Sequence, residues 1–267
     1  MRENAILYGL LVGAQVRAQL QYRASFALQV LGQFLANFVG LVTLFLLFAR
    51  FDTLAGWSRA EVMFLYGLGC FAFGLSDLAA GGFDRLSVAL QTGSFDRVLT
   101  RPAGVFLQVL ASDFQLRRLG RVAQGAVALV LALATLDVAW TAPRVLVLLS
   151  AIVSGAGIFI AIWVIGAAIT FWTVQTSEVT NVFTYGGEEM VSYPMSIYSD
   201  GVRRFFTAVV PLAFVTYLPS LYILDKPDPL GLPPVLRFCS PLAAVGFLLA
   251  ARGAWALGVR HYQSTGS

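Results

Sequence analysis

Histidine, cysteine and lysine are almost missing from this chain of 267 residues, which holds one histidine, two cysteines and a single lysine, Lys226. His261 is far in sequence from both cysteines and is expected to be unconstrained, which leaves no His-centred catalytic group. Cys70 and Cys239 both fall inside apolar stretches, which excludes a disulfide framework and a thiolate metal site and suits small buried apolar side chains. No glycine-rich phosphate loop ending in Lys-Ser or Lys-Thr is present, and Lys226 stands in Asp-Lys-Pro-Asp-Pro, so the chain is not expected to hydrolyse ATP. The opening Met1 to Leu11 has no basic start, apolar run and small-residue cleavage site, so no removable signal peptide is expected. Charge is scarce too, at 12% of residues against about 25% in a soluble domain.

What fills the chain is apolar, at 58% of residues. Such a balance cannot be hidden in one soluble core. With about 20 apolar residues needed per helical crossing, the length allows six or seven spans with short loops. Phe26 to Ala49, Glu61 to Gly82, Val122 to about Trp140, Arg144 to Trp172 and Phe238 to Val259 form five clear ones, with a polar turn over 50–59 and a Pro/Gly-rich turn at Leu230 to Pro234. Before them, Leu7, Leu10, Leu11, Ala14 and Ala18 recur at helical spacing beside Gln15 and Gln19. This pattern predicts an amphipathic helix over residues 1–24 on the cytoplasmic membrane surface.

Residues 83–121 carry Arg85, Arg97, Arg101, Arg117, Arg118 and Arg121 with Asp84, Asp96 and Asp113. At about 2.5–3.5 kcal/mol for each charge at a helix centre, the segment is expected outside the lipid. Asp84 is predicted to cap a helix from Arg85 to Thr92, Gly93 to end it and Pro102 to start the next. The pattern fits a solvated loop and a docking element for a soluble partner equally. Arginine is concentrated here, at Arg2, Arg17 and Arg23, and at Arg252 and Arg260, so the positive-inside rule puts both termini and this loop in the cytoplasm. The basicity therefore reflects topology, and no aromatic-basic motif for nucleic acid accompanies it.

Residues 173–224 are ambiguous. Hydropathy makes Phe205 to Leu224 the fifth span, whereas the alternative is a span over 174–192, with Glu178, Glu188 and Glu189, followed by a re-entrant hairpin. In the first span Gln29, Gln33 and Asn37 form one polar stripe at i, i+4 and i+8. Such amides need partners in hydrocarbon, from another helix or from cargo on a translocation path. Ala151 and Gly155, beside Ser150 and Ser154, suit close helix packing.

Four segments carry a resemblance: Gly-Ser-Phe-Asp-Arg-Val-Leu-Thr-Arg-Pro at 93–102, Tyr-Pro-Met-Ser-Ile-Tyr at 193–198, Pro-Leu-Ala-Phe at 211–214, and Arg260-His261-Tyr262-Gln263-Ser264. In their order and spacing the chain resembles the type-2 ABC exporter permeases. The resemblance implies an all-α bundle of six spans in a bacterial inner membrane, pairing with a second permease above a dimer of ATPase subunits that hold ATP and Mg. It implies that Phe95, Asp96, Arg97, Arg101 and Pro102 couple to the ATPase within a cytoplasmic loop over 83–118. Gln29, Gln33, Asn37, Glu178, Glu188 and Glu189 would be candidates for the path. Tyr193, Pro194 and Pro211 would belong to an outer re-entrant hairpin and loop over 193–236, leaving 174–192 as the fifth span. No cofactor or metal is expected on this chain. A competing expectation is an ion-coupled transporter using Asp77, Glu178, Glu188 and Glu189; a membrane-embedded enzyme lacks any supporting cluster.

Overall fold

A computed structural model of the protein describes residues 2–173 and 177–262. The start of the 174–192 segment and Gln263 and Ser264 of the tail motif lie outside the described residues, as does the side chain of Arg2. Twelve α-helices follow in order: α1 Arg2–Leu20, α2 Arg23–Arg50, α3 Arg59–Ala80, α4 Leu86–Gln91, α5 Asp96–Leu99, α6 Val105–Leu110, α7 Leu119–Thr135, α8 Ala142–Ile169, α9 Ser177–Val191, α10 Asp200–Ala208, α11 Tyr217–Ile223 and α12 Ser240–His261. Among the described residues there is no β-strand. The protein is an all-α polytopic bundle.

Long apolar stretches become α2, α3, α7, α8 and α12, each long and apolar enough to cross a membrane. Their ends are set by ordinary chemistry. Ser58 caps α3 with its hydroxyl on the Glu61 N–H, while the Glu61 carboxylate accepts the Ser58 N–H at 2.7 Å, a reciprocal capping box. The third crossing was expected to reach Trp140, but α7 stops at Thr135, where the apolar run gives way to Leu136-Asp137.

α3 forms the core, and glycines let its neighbours reach it. A Cβ on Gly67 would meet the Leu129 backbone N of α7 at 2.4 Å, and one on Gly125 of α7 would meet the Phe71 N at 2.5 Å. In lipid, where no hydrophobic force drives helices together, such close backbone approach supplies packing energy. Gly155 of α8 plays the expected packing part, with its Cβ position 3.0 Å from Ala72 and 2.9 Å from Val215.

Helix directions constrain the ambiguous segment. α8 and α12 run parallel, since Gly157 faces Leu248 in mid-helix and Gly258 faces Ala168 near both carboxyl ends. One return run must separate them. α9 runs back along α8 and on to α3, with Thr180 against Gly166, Gly187 against Phe159, and Val191 against Gly69 of α3. Its 15 residues span about 22 Å at 1.5 Å each, and its carboxylates hide it from a hydropathy window. Phe205 to Leu224 is not one straight span: α10 and the stretch Leu212–Ile223 meet at 75°. Asp200, Arg203 and Arg204 at the start of α10 line one cleft with Pro229, Leu230 and Leu232, which follow α11. The bent pair therefore returns to the end where it began. Side chains tie its buried turn to its neighbours: the Thr216 hydroxyl donates to the Val191 carbonyl at the end of α9 at 2.7 Å, and the Ser240 hydroxyl to the Phe214 carbonyl at 2.8 Å.

Residues 81–118 break up more than the sequence suggested. Asp84 caps nothing; it lies inside a 3-10 turn over Gly81–Arg85, and α4 starts with no side-chain cap. Gly93, at φ +65°, does stand past the end of α4. Pro102 starts no helix, because α6 begins only at Val105. α1 rests its polar side on this segment. Its glutamines face protein: Gln15 bonds the Ala111 carbonyl and the Phe114 N–H, and Gln19 bonds the Phe114 carbonyl and the Leu116 N–H. The apolar Ile6 and Leu10 stay exposed.

Candidate functional site

Two regions carry charge, and the first is the folded loop. Arg118, a member of the segment expected outside the lipid, is buried against protein at the base of α3. Its Nε pairs with Asp77 Oδ1 at 3.0 Å, its Nη2 with Asp113 Oδ2 at 3.2 Å, and its Nη1 donates to the Asp113 carbonyl at 2.8 Å. Arg85 reaches the same Asp113 carboxylate at 3.2 Å. Only a glycine fits beside this guanidinium, because a Cβ on Gly81 would lie 1.8 Å from Arg118 Nη1. The arrangement bolts the loop to α3 by a forked, charge-assisted contact.

Phe95 was expected among the residues that contact an ATPase. Instead it is 0% exposed, packed edge-on against Tyr262 at 4.9 Å and Phe171 at 5.5 Å between ring centroids. Tyr262 also donates its hydroxyl to Asp96 Oδ1 at 2.8 Å. An apolar ring this large is stabilised by leaving water, and the ends of α8 and α12 supply a ready aromatic nest. The loop is thereby tied to both helices. Arg97, Arg101 and Pro102 remain exposed on its tip. His261 is not unconstrained either; it stacks on Trp172 at 5.5 Å.

The second region is a cavity of about 540 Å³ bounded by α2, α3, α7 and α9. It gathers Asn37, Tyr66, Arg121, Gln124, Tyr185, Glu188 and Glu189. Arg121, assigned by sequence to the loop, belongs to α7 and is held by Glu188 at 3.4 Å and by Asn37 Oδ1 at 3.2 Å. Its guanidinium lies 4.9 Å from the Phe73 ring centre and 5.4 Å from that of Tyr185. Gln124 donates to the Tyr66 hydroxyl at 2.7 Å. Of the expected path residues, Asn37, Glu188 and Glu189 come together here. Gln33 does not line the cavity and packs against Gly120; Gln29 bonds only locally, to Ser25; Glu178 is exposed at the start of α9. The amide stripe drifts off one partner because α2 touches α7 along only part of its length.

A model of the family described as ABC-2 family transporter protein matches residues 34–266. The chain belongs to that family. Neither the curated proteins nor the solved structures yield a match. This permease thus combines a multi-pass apolar bundle with a charged, folded loop at one end and a polar cavity among its helices. Among its described residues no cluster of His, Cys, Asp and Glu could hold a metal ion. Tyr193 lines the cavity, and Pro194 and Pro211 are buried, the second at the bend between α10 and the stretch Leu212–Ile223.

Proposed function

We propose that this permease is the transport subunit of an ATP-driven exporter whose ATP and Mg are held by a separate ATPase dimer. The observation that carries this reading is the loop over 83–118. It is one rigid block, bolted to α3 by Arg118, pinned to α8 and α12 through Phe95, and left with a basic tip at Arg97 and Arg101. A block tied to three crossing helices can pass a push from a soluble partner into the membrane; a mobile solvated loop cannot. Asp96 and Phe95 support the tip from within, while Arg97, Arg101 and Pro102 make the contact. The polar cavity would then form this subunit's side of the path, closed by a second permease against the exposed apolar face of α2 at Leu28, Leu31, Leu35 and Val39. Both termini and the loop lie in the cytoplasm of a bacterial inner membrane, α9 is the fifth crossing, and the bent pair with Tyr193, Pro194 and Pro211 enters from outside.

Ion coupling is less well supported. Asp77 and Glu188, two of its carboxylates, are already occupied by Arg118 and Arg121.

Two measurements test the reading. The purified permease should hydrolyse no ATP alone and should stimulate a nucleotide-binding subunit added to it; robust hydrolysis by the isolated chain would refute the division of labour. In a Cys70→Ala, Cys239→Ala background, Ser199→Cys should react with a membrane-impermeant thiol reagent added from outside. Labelling from the cytoplasmic side alone would invert the assigned position of the bent pair.

A further inference from the structure

Three carboxylates on the crossing helices meet a cation. Glu61 pairs with Lys226 at 2.7 Å, Asp77 with Arg118 and Glu188 with Arg121. Glu189, one residue past Glu188, has no ion pair among the described residues, lines the cavity and is exposed. Val191, two residues on, packs against Gly69 in the middle of α3, so Glu189 lies at mid-depth in the bundle. An ionisable group held there is costly unless it faces water or a counter-charge.

A second group in the same cavity is also uncommitted. Gln124 is 1% exposed, its amide nitrogen is used on Tyr66, and its carbonyl oxygen Oε1 has no hydrogen-bond partner. Arg121 contributes no comparable positive charge. Although its Nε is also unpartnered, its charge is met by Glu188 and its faces by two aromatic rings. The cavity therefore offers one net negative charge, a free acceptor, and the rings of Tyr66 and Tyr193, and opens beside the apolar Val39 and Ala36 of α2.

We propose that the cavity takes an organic amine in its protonated form, carried on an apolar body, with Glu189 as its counter-ion. The ammonium would face the carboxylate and the tyrosine rings, with N–H groups available to an acceptor such as Gln124. The apolar body would lie along α2. At about 540 Å³, the space suits a ligand of drug size. This assignment deepens the exporter reading by naming a cargo class, and it can fail separately from it.

The test uses the full chain in lipid nanodiscs, titrated with two fluorescent probes that differ in charge: dansyl cadaverine, a primary ammonium, and dansyl-6-aminohexanoate, a carboxylate. The ammonium should bind at least about tenfold more tightly than the carboxylate, as expected for one partly desolvated cation site. Glu189→Gln should weaken ammonium binding about tenfold and remove the preference, and Glu189→Lys should reverse it. Glu178→Gln, off the cavity on the same helix, should change neither. Equal or carboxylate-favouring binding by the wild type, no saturable binding of either probe, or an unchanged preference in Glu189→Gln overturns the proposal. If the ammonium preference holds but no ATPase couples to the permease, the exporter reading fails and the site stands. Coupling to the ATPase with carboxylate preference gives the converse.

Discussion

Arg118→Ala should prevent stable accumulation of the permease in the membrane, the largest loss expected from any single change outside the cavity. The substitution strands Asp77, whose side chain is 10% exposed, takes from Asp113 one of its two cations while Arg85 stays, and removes a donor from the Asp113 carbonyl. Breaking a buried pair by removing one partner costs about 3–5 kcal/mol, a large part of a typical stability margin of about 5–15 kcal/mol. Arg118→Lys should recover little, since an ammonium cannot reach Asp77 and Asp113 with one fork. Adding Asp77→Asn to Arg118→Leu should restore part of the loss by removing one stranded charge. Thermal melting of the detergent-solubilised protein, followed by size exclusion, reads all four variants. Wild-type yield and melting temperature in Arg118→Ala would show that the loop is not bolted to α3 through this residue.

Phe95→Ala should uncouple ATP hydrolysis from transport while leaving the basic tip chemically intact. Emptying the nest between Tyr262 and Phe171 costs about 3–5 kcal/mol for a buried phenylalanine. The loss falls on a short segment whose other ties are the Tyr262–Asp96 bond and the contacts Gln108 makes through its amide to Val98 and Ala103. The loop should therefore exchange its backbone amides faster, seen by hydrogen–deuterium exchange over residues 94–100, and ATPase activity should persist without matching transport. Arg101→Ala should behave differently. Its side chain is exposed, so stability should stay unchanged while association with the ATPase slows and becomes less salt-sensitive. Normal coupled transport and normal exchange in Phe95→Ala would remove the lever from the mechanism.

These two residues also mark where sequence reading stops. Phe95 and Arg118 were visible as members of a charged segment, and the cost of putting that segment in hydrocarbon follows from composition. Nothing local says that Phe95 turns inward to meet Phe171 and Tyr262, which lie 76 and 167 positions away. Arg118 and Arg121 differ by three positions and serve different partners, Asp77 and Glu188, because α7 starts between them. A charge count treats both as solvated.

Sequence alone determined the all-α membrane class, five of the crossings and the lack of a phosphate-binding loop, because each rests on composition within a window of about 20 residues. The positions of Gln29, Gln33 and Asn37 on one helix face were fixed by periodicity in the same way. Tertiary structure alone decided which of them meets Arg121, that α9 packs on α3 and α8 despite its carboxylates, and that the 205–224 stretch bends. The physical reason is common to all three. A polar group in a membrane protein is tolerated or not according to what faces it, and the facing group comes from a helix whose register is set by small residues such as Gly67, Gly125 and Gly166 in backbone contact.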